Sequence, residues 1–339
     1  MKTEESKFYN ALNIALDSNY SELKNLLSRY GSWEKAWKNM SGPKADADKE
    51  GQKLRSLDIE LRLQEDENFP AVLKEISWPP FGIYIKGSFP EIDFKIGIVG
   101  TRKATDVGRN IAKKIGGELS KNGVAIISGL ALGIDESAHK GAVEAGGKTT
   151  AVLAVGLDRV YPQQNAGLAK KILSEGGCIV SEYPIGAISY PARFIERNRI
   201  ISGLSSAVVI IEAPKKSGAL ATAKFALEQN REIFVVPGPA GHPNYAGSHE
   251  LIRAGARLVT SAEEVLEDLN LQIQPAEQNV NDLNEKQKSI FAVLEKSGQS
   301  MDIDKISELL KMGISELNRE MTFLLLKGII KEGGGKYYI

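Results

Sequence analysis

The stretch FKIGIVGTRKAT at 94–105 decides the fold: an apolar run, FKIGIV at 94–99, breaks at Gly100-Thr101-Arg102 and gives way to a helix from about Thr105. The same texture recurs at 124–127, 150–155, 178–181, 206–211, 232–236 and 257–259, with amphipathic stretches of helical length between the runs. Strands that are apolar throughout, without alternation, suit a parallel sheet covered on both faces by crossover helices. The predicted class is therefore α/β, a doubly wound and mainly parallel sheet.

The flanks read differently. Upstream, Phe8, Leu12, Ala15 and Leu16 recur at helical spacing, as do Leu23, Leu26, Leu27 and Tyr30, and then Leu54, Leu57 and Leu61. This predicts a small all-helical (SAM-like) domain over 1–76, followed by the sheet domain over 77–269. Residues 270–282 (NLQIQPAEQNVND) lack periodicity and read as a linker. Beyond it, over 283–339, three helices at 284–296, 302–311 and 314–327 precede two short strands around a glycine turn, the winged-helix pattern. Its third helix offers few exposed bases (Arg319, Lys327), so protein contact or dimerisation is as good a use for it as duplex reading.

Length and composition bound the function. A chain of 339 residues, 42% hydrophobic and 25% charged, suits two or three folded domains. Cys178 is its only cysteine and its three histidines are scattered, which excludes a disulfide framework and a Cys-rich zinc site. MKTEES lacks an apolar h-region and no apolar run approaches a membrane span, so a reducing cytoplasm is expected and no membrane partner. The net charge is zero, so any polyanion must be held locally. Residues 191–231 carry seven bases against three acids, whereas 258–285 carry seven acids and no Lys or Arg.

Ligands of open α/β sheets sit beyond the carboxyl ends of the strands. Four strand exits stand out there: Gly100-Thr101-Arg102; Ser128-Gly129 running on to Asp135; Gly156-Leu157-Asp158 with Tyr161–Asn165; and Glu212 through Lys215-Lys216-Ser217-Gly218. Small, polar turns that open helices bind oxyanions through backbone N–H groups and the helix dipole. A fifth element, Arg193-Phe194-Ile195-Glu196-Arg197-Asn198-Arg199, has two readings. Guanidinium groups for successive phosphates and a ring for stacking would suit single-stranded nucleic acid, while a core phenylalanine with salt-bridged arginines would be structural.

Competing chemistries find little footing. Gly146-Gly147-Lys148-Thr149 resembles a P-loop end, but Ala142 replaces the earlier glycine and the segment runs from helix to strand. No Gly-x-Gly-x-x-Gly follows the first run, so no nucleotide cofactor is expected. His139 lies near Asp135 and Glu136 without a marked nucleophile, and a capping Asp135 with a packed His139 is the better reading. His242 and His249 read as turn residues, so neither a metal nor a catalytic group is assigned.

Taken together, IVGTRKATDVGR at 98–109, ISGLALGIDESAHKGA at 127–142, AVLAVGLDRVYPQQN at 151–165, RNRIISGLS at 197–205, EAPKKSGALATAKFALE at 212–228 and FVVPG at 234–238 resemble the DprA/Smf (DNA-processing A) family. The resemblance implies a Rossmann-like domain that dimerises, binds single-stranded DNA without catalysis, and loads the RecA recombinase during natural transformation and recombination. It further implies that Gly100, Thr101, Arg102, Ser128, Gly129, Arg197, Asn198, Arg199, Lys216, Ser217 and Gly218 line the strand-binding pocket, with Phe194 stacking. Ile195-Glu196 departs from the Pro and base or other residue found before RNR in many members, and sets a carboxylate beside that pocket. SGALATAKFALE is also similar to the phosphate turn and glutamate helix of nucleoside monophosphate phosphoribohydrolases, although their Pro-Gly-Gly-x-Gly-Thr is missing. That enzyme class is the alternative.

Overall fold

The computed structural model describes residues 2–42, 44–271, 283–326 and 329–338. Its first helices are α1 (Lys2–Ala15), α2 (Tyr20–Tyr30), α3 (Trp33–Asn39) and α4 (Ala47–Ser56), and the side chains of Asn19, Ser32 and Asp46 cap the starts of the last three. Phe8, Tyr9, Leu12, Trp33 and Phe81 form their shared core.

Asp58, with φ 53°, turns the chain out of α4, and β1 (Ile59–Leu63) follows. This corrects the helical reading of Leu57 and Leu61: Ile59, Leu61 and Leu63 alternate at the strand period of two, and β1 pairs antiparallel with β2 (Gly82–Gly87), Leu61 opposite Tyr84. A one-turn helix, α5 (Ala71–Lys74), lies between them.

The remaining elements alternate. They are β3 (Lys95–Gly100), α6 (Asp106–Lys121), β4 (Ala125–Ser128), α7 (Ile134–Glu144), β5 (Thr149–Leu153), α8 (Ala166–Ser174), β6 (Cys178–Ser181), α9 (Pro191–Leu204), β7 (Ala207–Ile211), α10 (Gly218–Glu228), β8 (Glu232–Val235), α11 (Ala246–Arg253), β9 (Arg257–Leu258) and α12 (Ala262–Asp268). The sheet order is β1-β2-β6-β5-β4-β3-β7-β8-β9, with β6 through β9 parallel in that order and β1 and β2 antiparallel. The predicted Rossmann-like α/β sheet is the one observed. Within β3, Ile96 and Ile98 enter one core and Val99 the other; in β7, Val209 and Ile211 separate from Val208 and Ile210 in the same way. Burial on both faces is what made these runs apolar throughout.

From β3 the chain winds through β4, β5 and β6 to one side, then returns to place β7 on β3's other edge. The exits of β3 and β7 therefore flank the topological switch point, where neighbouring crossover connections diverge and leave a crevice. Gly100 permits this close pairing, since a Cβ there would overlap the Ile211 carbonyl oxygen and Ile134.

The chain divides into two compact units, Met1–Ile273 and Gln274–Ile339. The expected linker lies outside the described residues except for Asn270 and Leu271, as does Lys327. In the second unit, α13 (Glu285–Ser297) opens with a capping box of Asn284 and Gln287, α14 (Ile303–Leu310) is capped by Asp302, and α15 (Ile314–Leu326) precedes the hairpin of β10 (Lys331–Gly333) and β11 (Lys336–Tyr338). Ile290, Phe291, Ile306, Leu317, Met321 and Leu324 fill its core. Arg319 is paired with Glu320 at 3.0 Å, which leaves this helix with less free charge than its sequence offers.

Helices α6 and α7 cross through glycines, and a Cβ on Gly141 would overlap the Lys113 carbonyl oxygen. Gly141→Ala should therefore reverse the usual helix-propensity gain, costing about 1–3 kcal/mol in urea unfolding where an open helical site would gain about 1 kcal/mol. A stabilised variant would show that the crossing relaxes.

Candidate functional site

At the switch point lies a cleft of ≈ 590 Å³. Val99 through Arg102 line it from the β3 exit; Ala131 and Asp135 from the β4 side; Tyr161 from the β5 side; Pro214, Lys216, Ser217, Gly218, Ala219 and Thr222 from the β7 exit; and Ser189, Tyr190, Pro191, Phe194, Ile195, Arg197, Asn198 and Ile201 from α9 and its approach.

Helix α9 forms the wall. Phe194, Arg197, Asn198 and Ile201 follow the i, i+3, i+4, i+7 spacing of one helical face, so all four meet the cleft. Pro191 stands at the first helical position, where its fixed φ suits the helix and no N–H is wasted. Arg193 and Arg199 fall off that face. Arg193 donates to the Asp17 carboxylate at 2.6 Å and the Ile188 carbonyl at 2.7 Å, with Tyr183 and Tyr190 rings 4.7 and 4.8 Å from its guanidinium. Arg199 forms a bidentate pair with Glu182 at 2.8 and 2.6 Å and lies 4.4 Å from the Trp78 ring. Both are buried. For these two arginines the salt-bridged reading is the one seen, with partners other than Glu196; Glu196 itself accepts from the Tyr183 hydroxyl at 3.0 Å and does not line the cleft.

Arg197 is the cleft's floor. Its Nη1 donates to the carbonyl of Gly129 at 2.8 Å and to that of Val152, and its Nε donates to Asn198 Oδ1 at 3.2 Å. Gly129 is small because Arg197 fills the space a Cβ would take. Burial pushes the guanidinium down to about 10, with the Asp135 carboxylate opposing, so it stays charged at neutral pH. Burial likewise raises Asp135, and the Arg197 charge offsets this. Asp135 does not cap α7; it accepts the Gly129 N–H at 3.0 Å and holds that turn.

Arg102 and Lys216 are the exposed cations, and among the described residues neither has a carboxylate partner. Arg102 lies 4.7 Å from the Phe194 ring. Phe194 is half-buried, packed on Ala154, Tyr183 and Ala187 on one side and 5.4 Å from the Tyr161 ring on another. Ser217 caps α10 by accepting the Ala219 N–H at 3.2 Å, Asn198 Nδ2 donates to the Gly218 carbonyl at 3.1 Å, and nothing lies within 4 Å of a Cβ built on Gly218. This arrangement places cations, a helix N-terminus and aromatic faces around one space, a set suited to a phosphate and a planar base.

Of the twelve residues expected in the pocket, Gly100, Thr101, Arg102, Phe194, Arg197, Asn198, Lys216, Ser217 and Gly218 line the cleft. Ser128, Gly129 and Arg199 do not: Ser128 Oγ donates to the Ile98 carbonyl at 2.6 Å, and Gly129 lies beneath Arg197. The cleft adds Tyr161 and Tyr190, 42% and 43% exposed. Tyr190 lies four residues before Phe194, and Pro191 as a helix-start signal is what would have shown that spacing in the sequence.

His139 is buried with Nδ1 2.7 Å from Thr149 Oγ1, while His242 and His249 make turn contacts to Asn244 N and the Gly238 carbonyl. Among the described residues no three His, Cys, Asp or Glu side chains gather as a metal site would require. Of the two carboxylates that could serve a phosphoribohydrolase reading, Glu212 is taken up by Thr105, Asn244 and Tyr245, and Glu228 is exposed at the far end of α10 beside Lys224 at 3.9 Å, about 15 Å of helix from Gly218.

A Rossmann-like α/β protein with a cationic, ring-lined groove at its switch point is the class that fold and cleft define. Residues 60–270 match the family model for DNA recombination-mediator protein A, and the chain belongs to that family. It is 42% identical over 206 residues to protein Smf of Escherichia coli K12, covering 60% of this chain and 55% of that one, and 38% identical over 223 residues to DNA processing protein DprA of Streptococcus pneumoniae, covering 66% and 77%. The match spans about half the length of the Escherichia coli protein. Among solved structures, DNA processing protein A of S. pneumoniae superposes with TM-score 0.62 at 31% identity, over 79% of this chain and 95% of that one. The Helicobacter pylori protein, studied for its single-stranded DNA binding mode, gives 0.56 at 28%, over 62% and 95%.

Two outcomes follow from the buried charges. Arg199→Ala strands Glu182, so it should cost about 3–5 kcal/mol in urea unfolding, whereas Arg102→Ala, on an exposed side chain, should change stability by less than about 0.5 kcal/mol. Equal effects would mean that the Arg199 pair is not a buried one. Burial, with the Arg197 charge, pushes His139 down to about 3 from 6.5. The unfolded chain therefore binds a proton that the fold refuses between those values, and stability falls as pH drops below 6.5, by up to about 1.4 kcal/mol per unit. His139→Gln should flatten the difference in urea midpoint between pH 7.5 and 5; an unchanged difference would assign it to other groups.

Proposed function

We propose that this protein binds single-stranded DNA in the β3/β7 cleft, protecting incoming strands and passing them to the RecA recombinase in natural transformation and homologous recombination. One observation carries the reading: Arg102, 4.7 Å from the half-buried Phe194 ring, and Lys216, both unpaired among the described residues, line the same cleft at the switch point. Two cations meet phosphates and the ring meets a base of any identity. The family's designation as a recombination mediator supports the partner, and the H. pylori relative's single-stranded DNA binding mode supports the substrate. The protein acts in the cytoplasm as a homodimer through its Rossmann-like domain. Its C-terminal unit, three helices and a hairpin, serves as a winged helix, and residues 270–282 link it to the sheet domain.

The cleft works by binding and not by turnover. Asp135, its one lining carboxylate, is committed to the Gly129 N–H and lies beside the Arg197 charge. General-base work needs a carboxylate free to take a proton.

Fluorescence anisotropy should show a labelled single strand bound in preference to its duplex and to free nucleotides, with little base preference. Arg102→Ala should lower affinity for all sequences and reduce the salt slope by about one, and Phe194→Ala should cost about 1–3 kcal/mol of binding with folding intact. Equal duplex affinity, or an Arg102→Ala protein with an unchanged slope, would move the strand elsewhere. Free base released from a nucleoside monophosphate would instead favour the phosphoribohydrolase.

A further inference from the structure

Anion sites in doubly wound folds commonly use the first strand's exit, where backbone N–H groups at a helix start are open to a ligand. Here that place holds a side chain of the protein itself. Glu212, at the exit of β7, is fully buried and has φ 53°, a left-handed backbone that a non-glycine residue adopts only when its surroundings hold it there. Its backbone carbonyl accepts the Thr101 N–H at 2.8 Å. Its carboxylate accepts from the Thr105 N–H at 3.0 Å, the Thr105 hydroxyl, Asn244 Nδ2 at 2.9 Å and the Tyr245 hydroxyl at 3.2 Å. Gly108, in the first turn of α6, leaves the room, since a Cβ there would overlap the carboxylate.

No Lys, Arg or His side chain forms an ion pair with this carboxylate among the described residues. Burying a charge without a counter-ion is costly, and four donors at a helix start are what offset it. Bonds to the backbone and side chain of Glu212 bracket one segment. Thr101 and Thr105 stand on either side of Arg102, and Asn244 Nδ2 also donates to the Lys103 carbonyl at 3.0 Å. The turn that carries Arg102 is thus held at its start by the Glu212 backbone carbonyl, at its end by the Glu212 carboxylate, and in its middle by Asn244, which that carboxylate also engages.

We propose that Glu212 is the positioning residue of the cleft: a resident anion that occupies the start of α6, closes that turn to a ligand's phosphate, and holds Arg102 over Phe194. The incoming phosphate is thereby directed to the start of α10, between Lys216 and Arg102. This rests on the single-strand reading above, and its test separates the two.

The full-length protein would be compared as wild type, Arg102→Ala, Glu212→Gln and the double variant, by anisotropy with a labelled single-stranded oligonucleotide across a salt series. A glutamine keeps the size but cannot accept from four donors with both of its terminal atoms. Glu212→Gln should weaken binding about tenfold with the reduced salt slope of Arg102→Ala, and the double variant should bind no worse than the weaker single within about twofold. Losses that multiply in the double variant, or wild-type binding by Glu212→Gln, would overturn the proposal. If Glu212→Gln does not fold, Tyr245→Phe, which removes one donor, is held to the same cycle with a smaller loss. Hydrogen exchange gives a readout without DNA: protection of the Thr105 amide, which the carboxylate holds, should be lost in Glu212→Gln while the Thr101 amide, held by the backbone carbonyl of residue 212, and the amides of β5 keep theirs, and retained protection at Thr105 would overturn the proposal. Should the wild-type protein bind no single strand, the functional reading fails while this exchange result still decides the role of Glu212.

Discussion

A buried guanidinium needs acceptors on every side, and that requirement organises the site. Arg197 finds them in the carbonyls of Gly129 and Val152, at the carboxyl ends of β4 and β5, and in the Asn198 side chain. Removing the charge from these acceptors would cost several kcal/mol, so α9 has one seating over the carboxyl ends of the central strands. That seating turns Phe194 and Asn198 into the crevice and turns Arg193 and Arg199 away from it. The wall of the cleft is thus set by packing on the strand ends, before any ligand is considered.

The opposite side follows a similar logic with the sign reversed. There a buried carboxylate, Glu212, gathers donors from the β3 turn and from the loop before α11. Switch-point crevices arise from topology alone, but the residues that project into this one are fixed by two buried ions of opposite charge on opposite sides. The exposed cations, Arg102 and Lys216, are left to be satisfied from outside.

Much of this was legible in the sequence. The strands from β3 to β8 were visible as apolar runs because the sheet is covered on both faces there, and their exits located the cleft, whereas β9 is a two-residue, exposed strand at the sheet's edge. β1 was not, since Leu54, Leu57 and Leu61 also fit a helical period, and only pairing with β2 favours the alternation of Ile59, Leu61 and Leu63. The arginine-rich segment was legible as composition but not as geometry. Three arginines within seven residues look equivalent until the helix of α9 assigns them to different faces, and partners as distant in sequence as Asp17 and Glu182 cannot be inferred from local spacing. Glu212 was read as part of a phosphate turn for the same reason, because the donors that claim it come from Thr105, Asn244 and Tyr245.

The chain's net charge of zero, set against a groove whose Arg102 and Lys216 are unpaired among the described residues, has a kinetic consequence. Long-range steering depends on summed charge and fades beyond a Debye length of about 8 Å in physiological salt. A polyanion approaching this molecule is therefore not drawn in from a distance, and it feels attraction only once it reaches the mouth of the crevice. In physiological salt such a polyanion would meet the crevice at close to an ordinary diffusive rate, and salt would act mainly on how long the contact lasts.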